Sequence, residues 1–311
     1  SYLPVNELQF YGRANVALHA NDFENAAGGE QQDNWTLESH TSVLGIRGGH
    51  TLQENLRAVF QLEYEVFVDD GNDGSGDNSE FRQRNSYLGL EGNWGRVIAG
   101  KHDTPLKLAQ GNLDRFNDLL LGDLRSAIEG ENRPDNIVLY TSPLRDNWRF
   151  RAAFIPGEDS GTNAGDEDGL ADGVSASAEY TKGKQRFAIA HERGDTIDTA
   201  VDYATRLVFE HREQEFSFGV LVQHAEFANG DDEEALVLSG EVPLDQRFVA
   251  KAQSAFVDLD DGHRHQLTLG MDYLLGKNAK TYGYISRIKE TVGADSDDIT
   301  AGVGFKFMFS R

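Results

Sequence analysis

Apolar and polar residues alternate along this chain with a period of two, in runs of ten residues or more. Between Leu8 and His19 one parity reads Leu8, Phe10, Gly12, Ala14, Val16, Leu18, and the other reads Gln9, Tyr11, Arg13, Asn15, Ala17, His19. Further on, Leu56, Ala58, Phe60, Leu62, Tyr64, Val66 and Val68 share one side, while Arg57, Gln61, Glu63 and Glu65 share the other. Near the end, Ile299, Ala301, Val303, Phe305, Phe307 and Phe309 alternate with Thr300, Gly302, Gly304, Lys306 and Met308. A helix would bring both sets onto one face, whereas a strand sends them to opposite faces, so these runs are strands. Comparable segments at 34–48, 80–91, 95–103, 135–141, 147–156, 172–181, 185–193, 200–212, 215–227, 234–242, 246–257, 264–275 and 279–289 bring the count to sixteen.

The links give an independent signal. Short ones (Gly92 to Trp94, Thr181 to Lys184, Arg212 to Gln214, Pro243 to Asp245, Gly276 to Asn278) alternate with long, acidic, Gly-rich ones. The long ones include Asp69 to Ser79, Gly157 to Ala171, Asn229 to Glu233, Asp258 to His263 and Glu290 to Asp297. This is the pattern of an up-and-down barrel with tight turns on one rim and extended loops on the other. A soluble sandwich would also alternate, but its strands average ~5–6 residues. Runs of ten suit a tilted membrane-spanning strand better. The expected fold is therefore all-β: a transmembrane antiparallel up-and-down β-barrel of sixteen strands, forming a single domain over residues 1–311.

Composition removes several functions. There is no cysteine, which excludes disulfides, thiolate metal sites and a cysteine nucleophile. A net charge of −23, from 52 acids against 29 Lys and Arg, argues against a nucleic-acid partner. No run approaches the ~20 apolar residues of a membrane helix, a test to which barrels are invisible. Ser1-Tyr2-Leu3-Pro4 has neither a basic nor an apolar leader region, so an exported chain is expected here in its processed form.

Several segments resemble Gram-negative general porins. Phe10-Tyr11-Gly12-Arg13 is similar to the family's first strand, and Val43-Leu44-Gly45-Ile46-Arg47-Gly48 to its second. Leu56-Arg57-Ala58-Val59-Phe60-Gln61-Leu62-Glu63 resembles the third strand. The hairpin Tyr87-Leu88-Gly89-Leu90-Glu91-Gly92 with Gly95-Arg96-Val97-Ile98-Ala99-Gly100-Lys101 is similar to the one entering the family's constriction loop. Asn136-Ile137-Val138-Leu139-Tyr140-Thr141-Ser142-Pro143 resembles the strand leaving it. The second half agrees in pattern more than in motif, up to the aromatic end at Phe309.

The resemblance implies a homotrimer in the bacterial outer membrane, in contact with lipid and lipopolysaccharide, passing small hydrophilic solutes and ions. It also implies that the third external loop, about Thr104 to Arg133, folds into the lumen and narrows it. Unstructured links of about thirty residues are rare and usually functional. In this one, Leu119 to Leu124 is expected to make a short helical turn, and Pro105-Leu106-Lys107-Leu108 departs from the family's acidic motif. By the same resemblance, wall arginines face loop carboxylates. Arg13 lies on the polar parity, and Arg84 falls at a wall-arginine position. Val43 occupies another such position, leaving Arg47 close by as a partial substitute. Arg57, Arg149, Arg151, Arg206, Arg247 and Lys251 have parities consistent with the lumen. The opposing carboxylates are expected at Asp114 and Asp118, with Asp123 or Glu129 in reserve.

Other chemistry is weakly represented. The acidic runs around Asp69, Asp70 and Asp73 and around Asp166 to Asp168 hold oxygens that suit calcium, but lack the spacing of a dedicated loop. Solvated loops, loosely attracting divalent ions beside lipid headgroups, are the expected state, with no metal or cofactor resident. His263 and His265 lie two apart with no third ligand nearby. No nucleophile-elbow motif supports a Ser–His enzyme. A substrate-selective porin, for instance for an oligosaccharide or organic acid, is the main alternative. For an oligosaccharide it would need an aromatic track that Trp35, Trp94 and Trp148, all near strand ends, do not supply. Overall acidity predicts a weak preference for cations.

Overall fold

The computed structural model describes residues 7–24, 32–71, 81–157, 169–293 and 295–311. Eighteen strand segments form one continuous antiparallel sheet that closes on itself. Two of its staves are interrupted, so the barrel has sixteen. They are β1 (Glu7–Phe23), β2 in two halves (Gln32–Ser39 and Val43–Gln53), β3 (Leu56–Val66), β4 in two halves (Phe81–Gln83 and Ser86–Gly92), β5 (Gly95–Lys101), β6 (Ile137–Thr141), β7 (Trp148–Ile155) and β8 (Gly173–Lys182). There follow β9 (Gln185–Arg193), β10 (Val201–Arg212), β11 (Ser217–Phe227), β12 (Asp232–Pro243), β13 (Phe248–Leu259), β14 (Gly262–Leu274), β15 (Ala279–Glu290) and β16 (Ser296–Ser310). Each stave pairs with its neighbours in sequence, and β1 closes the ring against β16 from Tyr11↔Ser310 to Asp22↔Ile299. Among the described residues every stave has a paired neighbour on each side, as a backbone crossing hydrocarbon requires.

The alternation read from the sequence becomes an inverted hydropathy. Leu88, Leu207, Ile189, Leu236, Leu267 and Phe305 lie on the exposed outer parity, Leu88 with 66% of its surface accessible. The inner parity buries polar groups instead: Gln253, Gln266, Ser286 and Thr300 are all at or below 1% exposure. A continuous exposed apolar band on a closed sheet fits lipid rather than water.

Both interruptions matter locally. In β2, His40, Thr41 and Ser42 stand opposite Ala14 and Asn15, so the strand bulges. Thr41 takes a left-handed φ of 51°, and Asn15 donates from its amide to the His40 carbonyl at 3.0 Å. Bulges of this kind re-aim side chains. In β4 the break falls at Arg84 and Asn85, where the Asn85 amide reaches Asp103 at 3.0 Å.

The long link from Asp103 to Asp135 contains one short helix, α1 (Pro105–Ala109), and one 3-10 turn at Leu124–Ser126. The helical turn expected over Leu119 to Leu124 is not one regular element. Isolated turn bonds run from the Leu119 and Gly122 amides to Phe116 and Leu119, but left-handed φ values at Asp118 (70°) and Leu121 (55°) prevent a helix. Thr104 and Pro105 start α1 instead: the Thr104 hydroxyl accepts from the Lys107 amide at 3.2 Å, and Pro is preorganised for the first helical position.

Candidate functional site

A loop buried against a wall must have its backbone groups satisfied by that wall. The 103–135 segment obtains this from side chains on the inner parity of β9 to β15. Gln253 on β13 donates to the Gly122 carbonyl at 3.1 Å and accepts from the Arg115 amide at 2.9 Å. Gln266 on β14 donates to the Leu121 and Asp123 carbonyls at 2.6 and 3.0 Å. Tyr284 and Ser286 on β15 donate to the carbonyls of Leu120 and Leu121. Arg186 on β9 reaches the Ala109 carbonyl at 2.8 Å.

The strongest staple is Arg206 on β10, whose side chain is wholly buried. It pairs with Glu131 at 2.9 Å, donates to Gln223 at 2.8 Å, and reaches the carbonyls of Glu129 and Leu106 at 3.1 and 3.4 Å. Beneath the segment the inner parity turns apolar and small. Leu106, Leu113, Leu124 and Ile128 pack on Ala188, Ala190, Ala204, Leu221, Ala225, Val237 and Ala255. Sequence parity alone marks such positions as lumen-facing but not as covered.

On the uncovered side lies a polar cavity of about 490 Å³. Eight basic side chains line it (Arg13, Arg84, Lys107, Arg115, Arg125, Arg133, Lys251, Lys280), with eight acidic ones (Glu63, Asp103, Asp114, Asp118, Asp123, Glu131, Glu241, Asp272). Arg13 and Asp118 meet across it at 3.1 Å, and Arg13 also donates to the Thr41 carbonyl at 2.9 Å, at the bulge. Burial opposes the charge of Asp118, but Arg13, then Arg84, then a hydrogen bond from Thr41 hold its carboxyl below the usual range. Arg84 itself pairs with Glu65 at 3.2 Å and Glu63 at 3.5 Å rather than with a loop carboxylate.

The other expected residues are placed differently. Arg47 is remote from Asp118: it donates to Gln9 at 2.7 Å and lies 5.0 Å over the Tyr11 ring. Asp114 braces the loop, accepting from the amides of Phe116 and Leu124 at 3.0 Å each. Its burial, with Asp123 nearby, pushes its carboxyl well above the ordinary range. Asp123 caps the 3-10 turn, accepting from Arg125 at 2.8 Å and from Asp118 at 2.7 Å. Glu129 is a backbone contact for Arg206 and Gln223. Arg247 bonds Tyr273 at a turn, away from this cavity.

Two clusters escaped the sequence reading. Asp103 holds Lys107 at 3.1 Å and Arg133 at 2.9 Å, tying both ends of the segment together. Burial opposes its charge, but Lys107, Arg133 and the Asn85 amide hold its pKa at about 2. Opposite, Asp272 receives Lys251 at 3.1 Å and Lys280 at 2.6 Å. The inward parity of Asp272 and Lys280 was legible, since they alternate with Met271 and Tyr273 and with Ala279 and Thr281.

A second cavity, of about 690 Å³, is strongly basic: Arg57, Arg96, Arg149, Arg151 and His102 line it, with Glu91 as its acid. A third, of about 640 Å³, adds Arg47 with Glu7. Arg57 pairs with Glu7 and Glu91, and Arg151 with Glu179. The Nε of Arg149 is buried with no hydrogen-bond acceptor.

Of the acidic run, Asp69 accepts from the Ser39 amide at 2.9 Å, and Asp70 is exposed. Asp73 and the run at 166–168 lie outside the described residues. His263 pairs with Asp258 at 2.6 Å, and His265 stacks on Phe256 at 4.5 Å, so these two serve separate local contacts.

A family model described as Gram-negative porin matches residues 5–293. The outer membrane porin protein 32 of Delftia acidovorans is 27% identical over 305 residues, covering 90% of this chain and 84% of that protein. Among solved structures, an anion-selective porin from Comamonas acidovorans superposes with a TM-score of 0.76 at 20% identity, covering 97% of this chain and 99% of that one. The OmpT outer membrane protein of Vibrio cholerae, solved in a trimer form, superposes with a TM-score of 0.66 at 19% identity, covering 97% and 99%.

Proposed function

The chain belongs to the Gram-negative porin family, and from that premise we propose how its outer-membrane channel for passive diffusion of small hydrophilic solutes and ions sets its ion preference. The observation that carries the reading is the paired-charge cavity beside the 103–135 segment, with Arg13 and Asp118 3.1 Å apart across it. Because that segment is bonded to the inner parity of β9 to β15, it narrows the lumen and leaves the passage on the opposite side. Arginines facing a loop carboxylate create a transverse field that orients dipolar solutes and sorts ions without reacting with them. The whole of residues 1–311 is one barrel domain in this reading.

The ion preference follows from local charge rather than from the net −23. Basic and acidic side chains are equal in number in the narrow cavity, and burial disfavours the charged forms of Asp114 and Glu131. The adjoining cavities add Arg47, Arg57, Arg96, Arg149 and Arg151 against fewer acids. The expected preference is therefore mildly anionic, in place of the weak cation preference that composition suggests. The structurally similar porin from Comamonas acidovorans is anion-selective, the same direction. The neighbour solved as a trimer supports a homotrimer here, embedded among lipid and lipopolysaccharide. The test is single-channel recording of the purified protein with Arg13 and Asp118 neutralised in turn.

A further inference from the structure

Apart from the charged passage, one cluster of ligating side chains has no role in diffusion. His19 on β1, Glu38 on β2 and His40 in the β2 bulge bring one ligand atom each to within 4.8 Å of one another. They are the one such group of three among the described residues. We propose that these residues bind a single divalent transition-metal ion, with zinc the best match.

The geometry suits the ion. His19 Nε2 and His40 Nε2 are 3.1 Å apart, and a Glu38 oxygen lies 3.9 Å from His19 Nδ1. Two nitrogens each ~2.0–2.1 Å from a tetrahedral zinc stand roughly 3.3 Å apart, so the rings need little adjustment. Two imidazoles and one carboxylate are the donor set of three-ligand zinc sites with an open fourth position. Calcium and magnesium are disfavoured, since they select oxygen ligands.

The hydrogen bonding of the cluster is incomplete without an ion. His19 is wholly buried, and its Nδ1 has no hydrogen-bond partner. If His19 donates from Nε2 to His40, Nδ1 is a buried lone pair with no donor. If it accepts at Nε2, Nδ1 carries a buried proton whose nearby acceptor, a Glu38 oxygen at 3.9 Å, lies beyond hydrogen-bond distance. Either tautomer leaves one polar atom unsatisfied, which is costly in an interior. An ion held by the two Nε2 atoms fixes the His19 proton on Nδ1, where a small shift of the Glu38 carboxylate supplies both a ligand oxygen and an acceptor.

The surroundings hold the rings in place. The bulge at His40 to Ser42 is fixed by Asn15, whose carbonyl accepts from the His40 amide at 2.8 Å. His19 and Tyr284 close over Gly302, where a Cβ would come within 2.6 Å of each ring. Tyr284 lies 3.3 Å from His19 Nε2 and donates to the Leu120 carbonyl, linking the cluster to the 103–135 segment. Glu38 keeps a third of its side chain exposed, which leaves the ion a way in.

The probe is cobalt(II), added to the purified, chelator-treated barrel in detergent and followed by its visible ligand-field band. One ion per chain is expected, displaced by zinc, with affinity falling as pH drops and the imidazoles protonate. His19→Ala and His40→Ala should each weaken binding at least tenfold, since loss of even an outer-shell partner costs ~10–100-fold. His40→Cys should restore it with a thiolate charge-transfer band, showing that the altered barrel still folds. His263→Ala should bind as the parent does. A parent protein without a saturable band overturns the site, and so does equal binding by the His19→Ala/His40→Ala double variant.

Discussion

Arg13 lies 3.1 Å from Asp118 and helps to hold its carboxyl ionised, and both line the narrow cavity. At ~4 Å two unit charges interact by about 1 kcal/mol in water and about 4 at an effective dielectric of 20. Neutralising one of them should therefore move ion preference several-fold. Arg13→Ala should shift the reversal potential toward cations and Asp118→Asn toward anions, both effects shrinking at 1 M salt, where screening acts over ~3 Å. Asp114→Asn should shift it less than Asp118→Asn, because burial already disfavours the Asp114 charge; equal shifts would contradict that difference. The depressed pKa of Asp103 makes a pH prediction. Its folded value of about 2 lies below its ordinary 3.8, so its stabilisation is complete above about pH 4 and is lost as pH falls through about 2. Proteolysis of the 103–135 segment in the intact barrel should accelerate across that window, and Asp103→Asn should abolish the pH step.

Strands and the long loop obey different rules, which decided what could be read from sequence. The sixteen staves were legible because one face meets lipid and the other does not, and β11, expected at 215–227, forms at Ser217–Phe227. Leu267 on β14 tests that reading: Leu267→Arg should cost ~2–4 kcal/mol in a folding titration into lipid, and Gln61→Arg on an inner face much less. Equal costs would mean the parity is assigned wrongly. The loop was legible in position but not in anchoring. Nothing local distinguishes Gln253 or Gln266 from any polar inward residue, and their partners lie more than 130 residues away in the chain. Asp114 and Asp123 line the cavity beside Asp118, but backbone amides left unpaired by an irregular loop also occupy their carboxylates, which spacing alone did not reveal. Arg206 had the right parity for a lumen residue, yet the segment covers it. Arg206→Ala strands a buried Glu131 and two carbonyls, and removing one partner of such a pair costs ~3–5 kcal/mol. The segment should become protease-sensitive and the open-channel current noisier while the barrel stays folded; a protected, quiet variant would refute the staple.

At the scale of the whole molecule, a chain of net charge −23 surrounds a lumen whose cavities are balanced or basic. Composition describes the sum and not its distribution, so residue counts do not give the local charge on which the proposed ion preference rests, whereas the alternating parity that makes a barrel was legible. Native mass measurement in mild detergent should return three protomers, and a clean monomer would remove the trimer. An open, water-filled passage whose local charge sorts ions is tested by single-channel recording in a planar bilayer under a salt gradient. Discrete conductance steps are expected, with a reversal potential displaced mildly to the anion side and moving toward cations in Arg13→Ala. Folded protein that inserts without conductance steps would contradict the channel, and a cation-side reversal unmoved by Arg13→Ala would contradict the charge assignment.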